Sequence, residues 1–307
     1  GQIVCDAPAA RHAMTKVRTQ HGFTMVELIM VIVMMGVIGG IVAVFMKSPI
    51  DAYFGSARRA GLTDVADTVV RRMARDIRKA LPNSIRSAGS QCLEFIPTRT
   101  GGRYRADVGG GGDALDFSSA AGDTSFNMLG RNADLPASQQ IVANDLIAIY
   151  NLGIAGADAY AGDNTAAVTD ASAEAAGPPV ETIITIAARK FPFESPGKRF
   201  HVIPGTEQVV RYLCLDASGV DAQGRGLGRL VRQVLSLPLA MGSTCPTTSG
   251  STGVLSSALL ANQVSSCNFN YSGSDLQRNA LVSMSIGLTD SGETVSLQHE
   301  THVSNAP

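Results

Sequence analysis

Residues 21–46 read HGFTMVELIMVIVMMGVIGGIVAVFM, an apolar run that carries one acidic side chain, Glu27. At 1.5 Å per residue, Phe23–Met46 would form a helix of about 36 Å, enough to cross a hydrocarbon core of about 30 Å with some tilt. A secretory signal has a shorter apolar region of about 7–15 residues before a small-residue cleavage site. A buried core helix rarely runs this long without polar residues. The run therefore predicts a transmembrane helix over 23–46.

The residues before this helix predict its orientation. Residues 1–13 show no periodicity, whereas Met14 begins the short basic stretch MTKVRTQH. We expect translation to start at Met14, so that residues 1–22 are a leader with a 13-residue extension. Lys16 and Arg18 place the N-terminus in the cytoplasm by the positive-inside rule. The chain after the helix is then expected outside the cytoplasm.

Residues 47–82 predict an amphipathic continuation of the helix. Pro49 indicates a kink or a break, and Pro82 ends the helix. Apolar residues recur at steps of three and four, which places them on one helical stripe: Leu62, Val65, Val69, Met73, Ile77 and Leu81. The arginines between them are expected on a solvated face.

Residues 83–307 predict a β-rich globular domain, because short apolar runs alternate with turn residues. TDSGE (289–293) and DASGVDAQGRGLG (216–228) predict hairpin connections, and consecutive hairpins form antiparallel sheet. The fold class is therefore α+β, with a long N-terminal α-helix followed by an antiparallel β-sheet domain. The expected strands are CLEFIP (92–97), ALDFSS (114–119), DLIAIY (145–150), TIITIAA (182–188), FHVIP (200–204), QVVRYLCL (208–215), RLVRQVL (229–235), CNFNY (267–271), LVSMSIGL (281–288) and TVSLQHETHV (294–303).

Two segments are expected to be loops. Residues 101–113, GGRYRADVGGGGD, lack the Gly-Lys-Ser/Thr ending of a phosphate-binding loop and favour a flexible hairpin loop. Residues 156–179 are acidic and end in two prolines. Their carboxylates leave a calcium site as an alternative, but the spacing is not that of an EF-hand, so a solvated loop is favoured.

Four cysteines, Cys92, Cys214, Cys245 and Cys267, follow the membrane segment, and Cys5 lies in the extension. An even number of cysteines outside the cytoplasm predicts two disulfides. Three connectivities are open, and of these we favour Cys245–Cys267 with Cys92–Cys214. No metal site is expected, because the cysteines lack zinc-ligand spacing.

The residues that could carry catalysis form no recognisable motif. There is no Gly-x-Ser-x-Gly elbow and no His-Glu-x-x-His pair. His299 and His302 are expected on opposite faces of a strand, and His201 stands alone. The net charge of -1 also argues against a nucleic-acid partner. We therefore expect a protein that is not an enzyme and holds no cofactor.

Glu27 has two interpretations. Thr24-x-x-Glu27 has the form of a capping box, in which a carboxylate also suits the positive end of the helix dipole. A cap alone does not explain why the acid lies about 6 Å into an apolar run. Carboxylates in membrane helices usually have a specific partner.

The stretch Gly22-Phe23-Thr24-Met25-Val26-Glu27-Leu28, after a basic leader and before an apolar helix, resembles the class III signal of type IV prepilins. The resemblance implies cleavage after Gly22 by prepilin peptidase and N-methylation of Phe23. It also implies that Glu27 meets the N-terminal amine of a neighbouring subunit. Such a pair attracts strongly when both charges leave water together.

The similarity covers nearly all of residues 22–307. LTDVADTVVRRMARDIRKALPNSIR, CLEFIP, YNLGIAGADAYAG and the final LVSMSIGLTDSGETVSLQHETHVSNAP are similar to MshO-type minor pilins of the mannose-sensitive haemagglutinin (MSHA) system. VRYLC, LVRQV and CNFNY are similar to the wider PilW and type II secretion J pseudopilin groups. Val44 stands where many pilins have proline, and Pro49 is a candidate to replace it.

This resemblance implies a minor pilin subunit that acts in pilus assembly, initiation or adhesion. Its partners would be prepilin peptidase, other pilin subunits and the inner membrane, which it crosses once before entering the pilus. Two alternatives stay open. One is a minor pseudopilin of type II secretion, and the other is a signal-anchored periplasmic enzyme or ligand-binding protein.

Overall fold

A computed structural model describes residues 22–109, 112–175, 177, 179–242, 244–250, 253–272 and 279–307. The expected start at Met14, the basic leader and Cys5 lie outside the described residues. The chain divides into two compact units, Gly1–Phe54 and Gly55–Pro307. Each unit is described by itself below.

The first unit contains the apolar part of helix α1, which runs over Met25–Ile77. Every residue from 22 to 54 is exposed, although most are apolar. The helix is long and apolar enough to cross a membrane, which is consistent with a single membrane anchor. The expected break at Pro49 is wrong, because α1 continues through this residue. One missing backbone donor does not end a helix that is propagated on both sides.

The second unit begins with the amphipathic end of α1. Leu62, Val69, Met73 and Ile77 are buried, as the stripe predicts, whereas Val65 is 42% exposed. The helix ends at Ile77, earlier than expected. The chain turns there so that the Leu81 backbone N–H donates to the Ile96 carbonyl at 2.8 Å. Leu81 is therefore buried in the β domain without being helical.

Twelve strands follow within the described residues. They form two six-stranded sheets in which every strand pair is antiparallel, so the predicted α+β layout of a long helix and antiparallel sheets is confirmed. Sheet 1 has the order β1-β8-β9-β10-β11-β12, and sheet 2 has the order β2-β7-β4-β5-β6-β3. The strands are β1 (Cys92–Phe95), β2 (Thr100–Arg103), β3 (Asp123–Met128), β4 (Leu146–Ala148), β5 (Thr165–Ala175), β6 (Glu181–Arg189), β7 (Arg199–Ile203), β8 (Val209–Leu215), β9 (Gly228–Leu235), β10 (Val254–Ser272), β11 (Asn279–Asp290) and β12 (Glu293–Ser304).

Both predicted hairpins are confirmed. Strands β11 and β12 pair up to Asp290 and Glu293, and Ser291 and Gly292 make the turn with positive φ angles of 51° and 81°. This backbone is typical of the tight turns that suit the twist of a hairpin. Strands β8 and β9 pair in the same antiparallel manner.

Each sheet has its own apolar core. The buried stripe of α1 packs against sheet 1 and forms one apolar cluster with side chains such as Phe95, Tyr212 and Met284. Sheet 2 packs around Phe126 and Phe200, whose rings meet edge-on with centroids 5.5 Å apart. A smaller cluster that includes Leu81, Ile203 and Leu235 joins residues of the two sheets. Burial of these apolar surfaces is the main stabilising term.

In sheet 2 the predicted strands β4, β6 and β7 are confirmed, whereas β2, β3 and β5 were not predicted. Residues 114–119 do not form a strand, because Asp116 accepts hydrogen bonds from the Ser118 N–H and hydroxyl at 2.7 Å and closes a turn. Strand β3 follows instead. Part of the expected glycine-rich loop forms β2, and much of the expected acidic loop forms β5. In β5 the small residues Ala166, Val168 and Ala171 are buried while the acids face outward.

The four cysteines form two disulfides, as predicted, but the favoured pairing is wrong. The bonds are Cys92–Cys245 and Cys214–Cys267. Cys92 lies opposite Leu213 in the sheet register, so the adjacent Cys214 points to the other face. Cys214 and Cys267 pack with the helix-facing core, whereas Cys92 and Cys245 belong to a cluster on the opposite face.

Candidate processing and assembly site

The candidate site begins with two residues that precede α1. Gly22 and Phe23 are outside the helix and exposed, and the Phe23 side chain keeps 81% of its surface in solvent. A Cβ atom added at Gly22 would meet nothing within 4 Å. The peptide bond between these residues is therefore unobstructed by the described chain.

Thr24 caps the first turn of α1. Its hydroxyl oxygen Oγ1 accepts a hydrogen bond from the Glu27 backbone N–H at 3.2 Å, and its carbonyl oxygen accepts one from the Leu28 N–H at 3.1 Å. These bonds satisfy donors that a helix start otherwise leaves open. The Thr24 half of the predicted capping box is thus present.

The Glu27 carboxylate is exposed, and it has no hydrogen-bond or ion-pair partner among the described residues. The cap uses the backbone of Glu27, so its side chain is left free. The other side chains of 23–46 are uncharged. An isolated carboxylate among apolar side chains is unfavourable in a bilayer. We therefore expect a partner for Glu27 from outside the described chain.

The β domain holds a buried charge cluster that the sequence analysis missed. Glu94 on β1 accepts from Arg86 Nε at 2.9 Å and from Arg211 Nε on β8 at 2.5 Å. The Arg86 guanidinium also lies 3.4 Å from the centroid of the Tyr160 ring, and burial raises the pKa of that phenol. The sequence does indicate this cluster, because the apolar runs CLEF and VVRYLCL each contain one charged residue, Glu94 and Arg211. The cluster ties β1 to β8 and does not present a free reactive group.

A cleft of about 350 Å³ lies at the C-terminal end of α1. Arg232 on β9 contributes to its wall and pairs with Asp76 at 3.0 Å and with Glu207. The Tyr212 hydroxyl donates to Asp76 at 2.7 Å, and burial together with that carboxylate raises the tyrosine pKa. These ion pairs stabilise the packing of α1 on sheet 1.

The histidines do not come together. His299 is half-buried and His302 is exposed, so they lie on opposite faces of β12 as predicted. Burial, and then the charge of Arg199, lowers the pKa of His201 to about 4. Within the part of the chain that the structure describes, no three His, Cys, Asp or Glu side chains are grouped to hold a metal ion.

Comparison with known proteins finds no matching family model, no matching curated protein and no matching solved structure.

Proposed function

We propose that this chain is a minor pilin of an MSHA-like type IV pilus. Prepilin peptidase would cut it after Gly22, and Phe23 would become the methylated N-terminus. Before assembly the chain would cross the inner membrane once, with the leader in the cytoplasm and the β domain in the periplasm. It would then enter the pilus.

The Glu27 carboxylate carries this proposal. It is exposed and unpartnered among the described residues, in a helix segment whose other exposed side chains are apolar. Cleavage after Gly22 would create a cationic amine on Phe23, which is the complementary charge. In a low-dielectric helix bundle, the amine of one subunit and the carboxylate of the next would stabilise each other.

The size of the β domain supports a minor role in the filament. A domain of two six-stranded sheets is large for a subunit that repeats along the whole filament. A low-abundance subunit that initiates assembly or acts in adhesion accommodates this size more readily. A type II secretion pseudopilin would share the same cleavage, and secretion genes beside this gene would favour that alternative.

Substitution at Gly22 tests the proposed processing. Gly22→Val should fold normally, because a Cβ atom added at Gly22 has nothing within 4 Å and the residue is exposed. Co-expressed with a prepilin peptidase, the unaltered chain should lose its leader, whereas Gly22→Val should keep it. Gly36→Val is the matched control, since Gly36 also has nothing within 4 Å, and it should be cut normally.

Equal processing of all three chains would reject Gly22 as the cleavage residue. An intact leader on every chain would reject the prepilin assignment and favour a signal-anchored periplasmic enzyme or ligand-binding protein.

A further inference from the structure

The first half of β10, residues 254–263, has an open edge. It pairs with β9 on one side, from Val254 opposite Leu235 onward. Strand β11 pairs with β10 only from Val264, and it ends at Asp290. Among the described residues, no strand pairs with the other side of 254–263. We call this segment the β10 edge.

Both faces of the β10 edge are also uncovered over residues 255–259. Leu255 is 61% exposed and Leu259 is 54% exposed. A groove of about 330 Å³ adjoins Leu259, and Leu288 of β11 and Leu62 and Val65 of α1 also line it. The position that a further strand would occupy therefore lies beside an apolar groove.

The β10 edge lacks the charges and prolines that usually protect an exposed edge. Its sequence, VLSSALLANQ, contains no Lys, Arg, Asp, Glu or Pro. Irregular register near Val254 and after Leu259 leaves Ser256–Leu259 in regular pairing with β9. Four regular residues present unpaired backbone donors and acceptors on alternate positions, and an added strand can satisfy them.

We propose that the β10 edge pairs antiparallel with the β10 edge of a second copy of this chain. Two-fold symmetry brings the same segment of each copy into contact, so a charged segment would face a segment of the same charge. The segment has no charge over ten residues, so two copies can pair without repulsion between like charges. Leu255 and Leu259 of both copies would then be buried in the interface. Sheet 1 would continue from one copy into the other across the axis. This inference goes beyond the proposed function, and it does not depend on leader cleavage.

Sedimentation equilibrium of the full chain in detergent micelles, over a concentration series, tests the pairing. The unaltered chain should form a dimer. Leu259→Lys should raise the dissociation constant of the dimer by at least about tenfold, because apolar burial is lost and a charge is placed in the paired edge. Leu227→Lys is the matched control, since Leu227 is 55% exposed and lies outside the β10 edge. It should dimerise like the unaltered chain.

Hydrogen exchange of the unaltered chain gives a second readout that needs no mutation. The amides of Ser256–Leu259 should become more protected as the chain concentration rises. A monomer at every concentration would overturn the proposal. So would a dimer that resists Leu259→Lys, a dimer that both lysines weaken equally, or concentration-independent exchange at Ser256–Leu259. A failure here leaves cleavage after Gly22 unaffected, because that reaction is read from the mass of the chain.

Discussion

Thr24 Oγ1 accepts a hydrogen bond from the Glu27 backbone N–H at 3.2 Å, while the Glu27 carboxylate has no partner among the described residues. Helix capping and the carboxylate are therefore two separable features of the same residue pair. The cap needs the Thr24 hydroxyl and the Glu27 main chain. The side-chain charge of Glu27 is therefore available for the subunit contact that we propose.

Glu27→Gln should abolish that contact and leave the cap intact. We expect at least about a tenfold loss of incorporation into filaments, because a charge-assisted hydrogen bond contributes about 1.5–3 kcal/mol. Thr24→Ala should have the opposite effect. It should lower the stability of the helix by about 1 kcal/mol, because the cap is lost, but incorporation into filaments should stay normal. Immunoblotting of sheared filaments measures both variants, and normal incorporation of Glu27→Gln would contradict the assembly role.

Glu94→Ala should destabilise the β domain strongly. It leaves the buried Arg86 and Arg211 guanidinium groups without their shared carboxylate, and removal of one partner from a buried ion pair costs about 3–5 kcal/mol. Asp67→Ala breaks an exposed pair with Arg71 one helical turn away and should leave the unfolding midpoint almost unchanged. Urea unfolding followed by tyrosine fluorescence can compare them, since the chain has no tryptophan. Similar midpoints for the two variants would show that the Glu94 cluster contributes little.

The disulfide pairing gives a prediction that mass mapping can check. Peptides from the non-reduced chain should join Cys92 to Cys245 and Cys214 to Cys267. Replacing Cys92 and Cys245 together by serine should lower the free energy of unfolding by about 2–5 kcal/mol, because a loop of 153 residues is no longer closed in the unfolded chain. Recovery of a Cys245–Cys267 peptide would contradict both described disulfides.

His201 should make the β domain less stable in mild acid. Burial lowers its folded-state pKa to about 4, whereas the unfolded value is about 6.5. The unfolded chain therefore binds more protons between these values, so the stabilisation is complete above pH 6.5 and is lost as the pH falls toward 4. The loss should be on the order of 3 kcal/mol.

Urea unfolding at several pH values measures this effect. His201→Asn should flatten the profile over that interval. His302→Gln is the control, because His302 is exposed on β12, and it should leave the profile unchanged. Parallel profiles for the unaltered chain and His201→Asn would exclude His201 as the titrating group.

Periodic patterns in the sequence predicted the helix and most of sheet 1. The apolar run from Phe23 and the stripe through Met73 each indicate one helix, because their spacing fits a single periodicity. The Ser291-Gly292 pair likewise predicted the β11–β12 hairpin. In the structure both residues have the positive φ angles of a tight turn. These elements are specified by residues close together in the chain.

Three strands of sheet 2 and the pairing of the disulfides could not be predicted in this way. Strand β5 has small apolar residues beside acids, and its burial depends on pairing with β4 and β6. The cysteine pairing depends on the face to which each strand directs its side chains, and a shift of one residue reverses that face. At the candidate site, the sequence identified Gly22, Phe23 and Glu27, but only the described geometry separates the Thr24 cap from the free carboxylate.

The mass of the N-terminal peptide tests the central claim most directly. The chain should be isolated from sheared filaments of its native cells and digested for mass spectrometry. The account predicts a peptide that starts at Phe23 and carries one additional methyl group on its amine. A peptide that retains residues before Phe23, or a chain found only in the membrane with its leader intact, would contradict it.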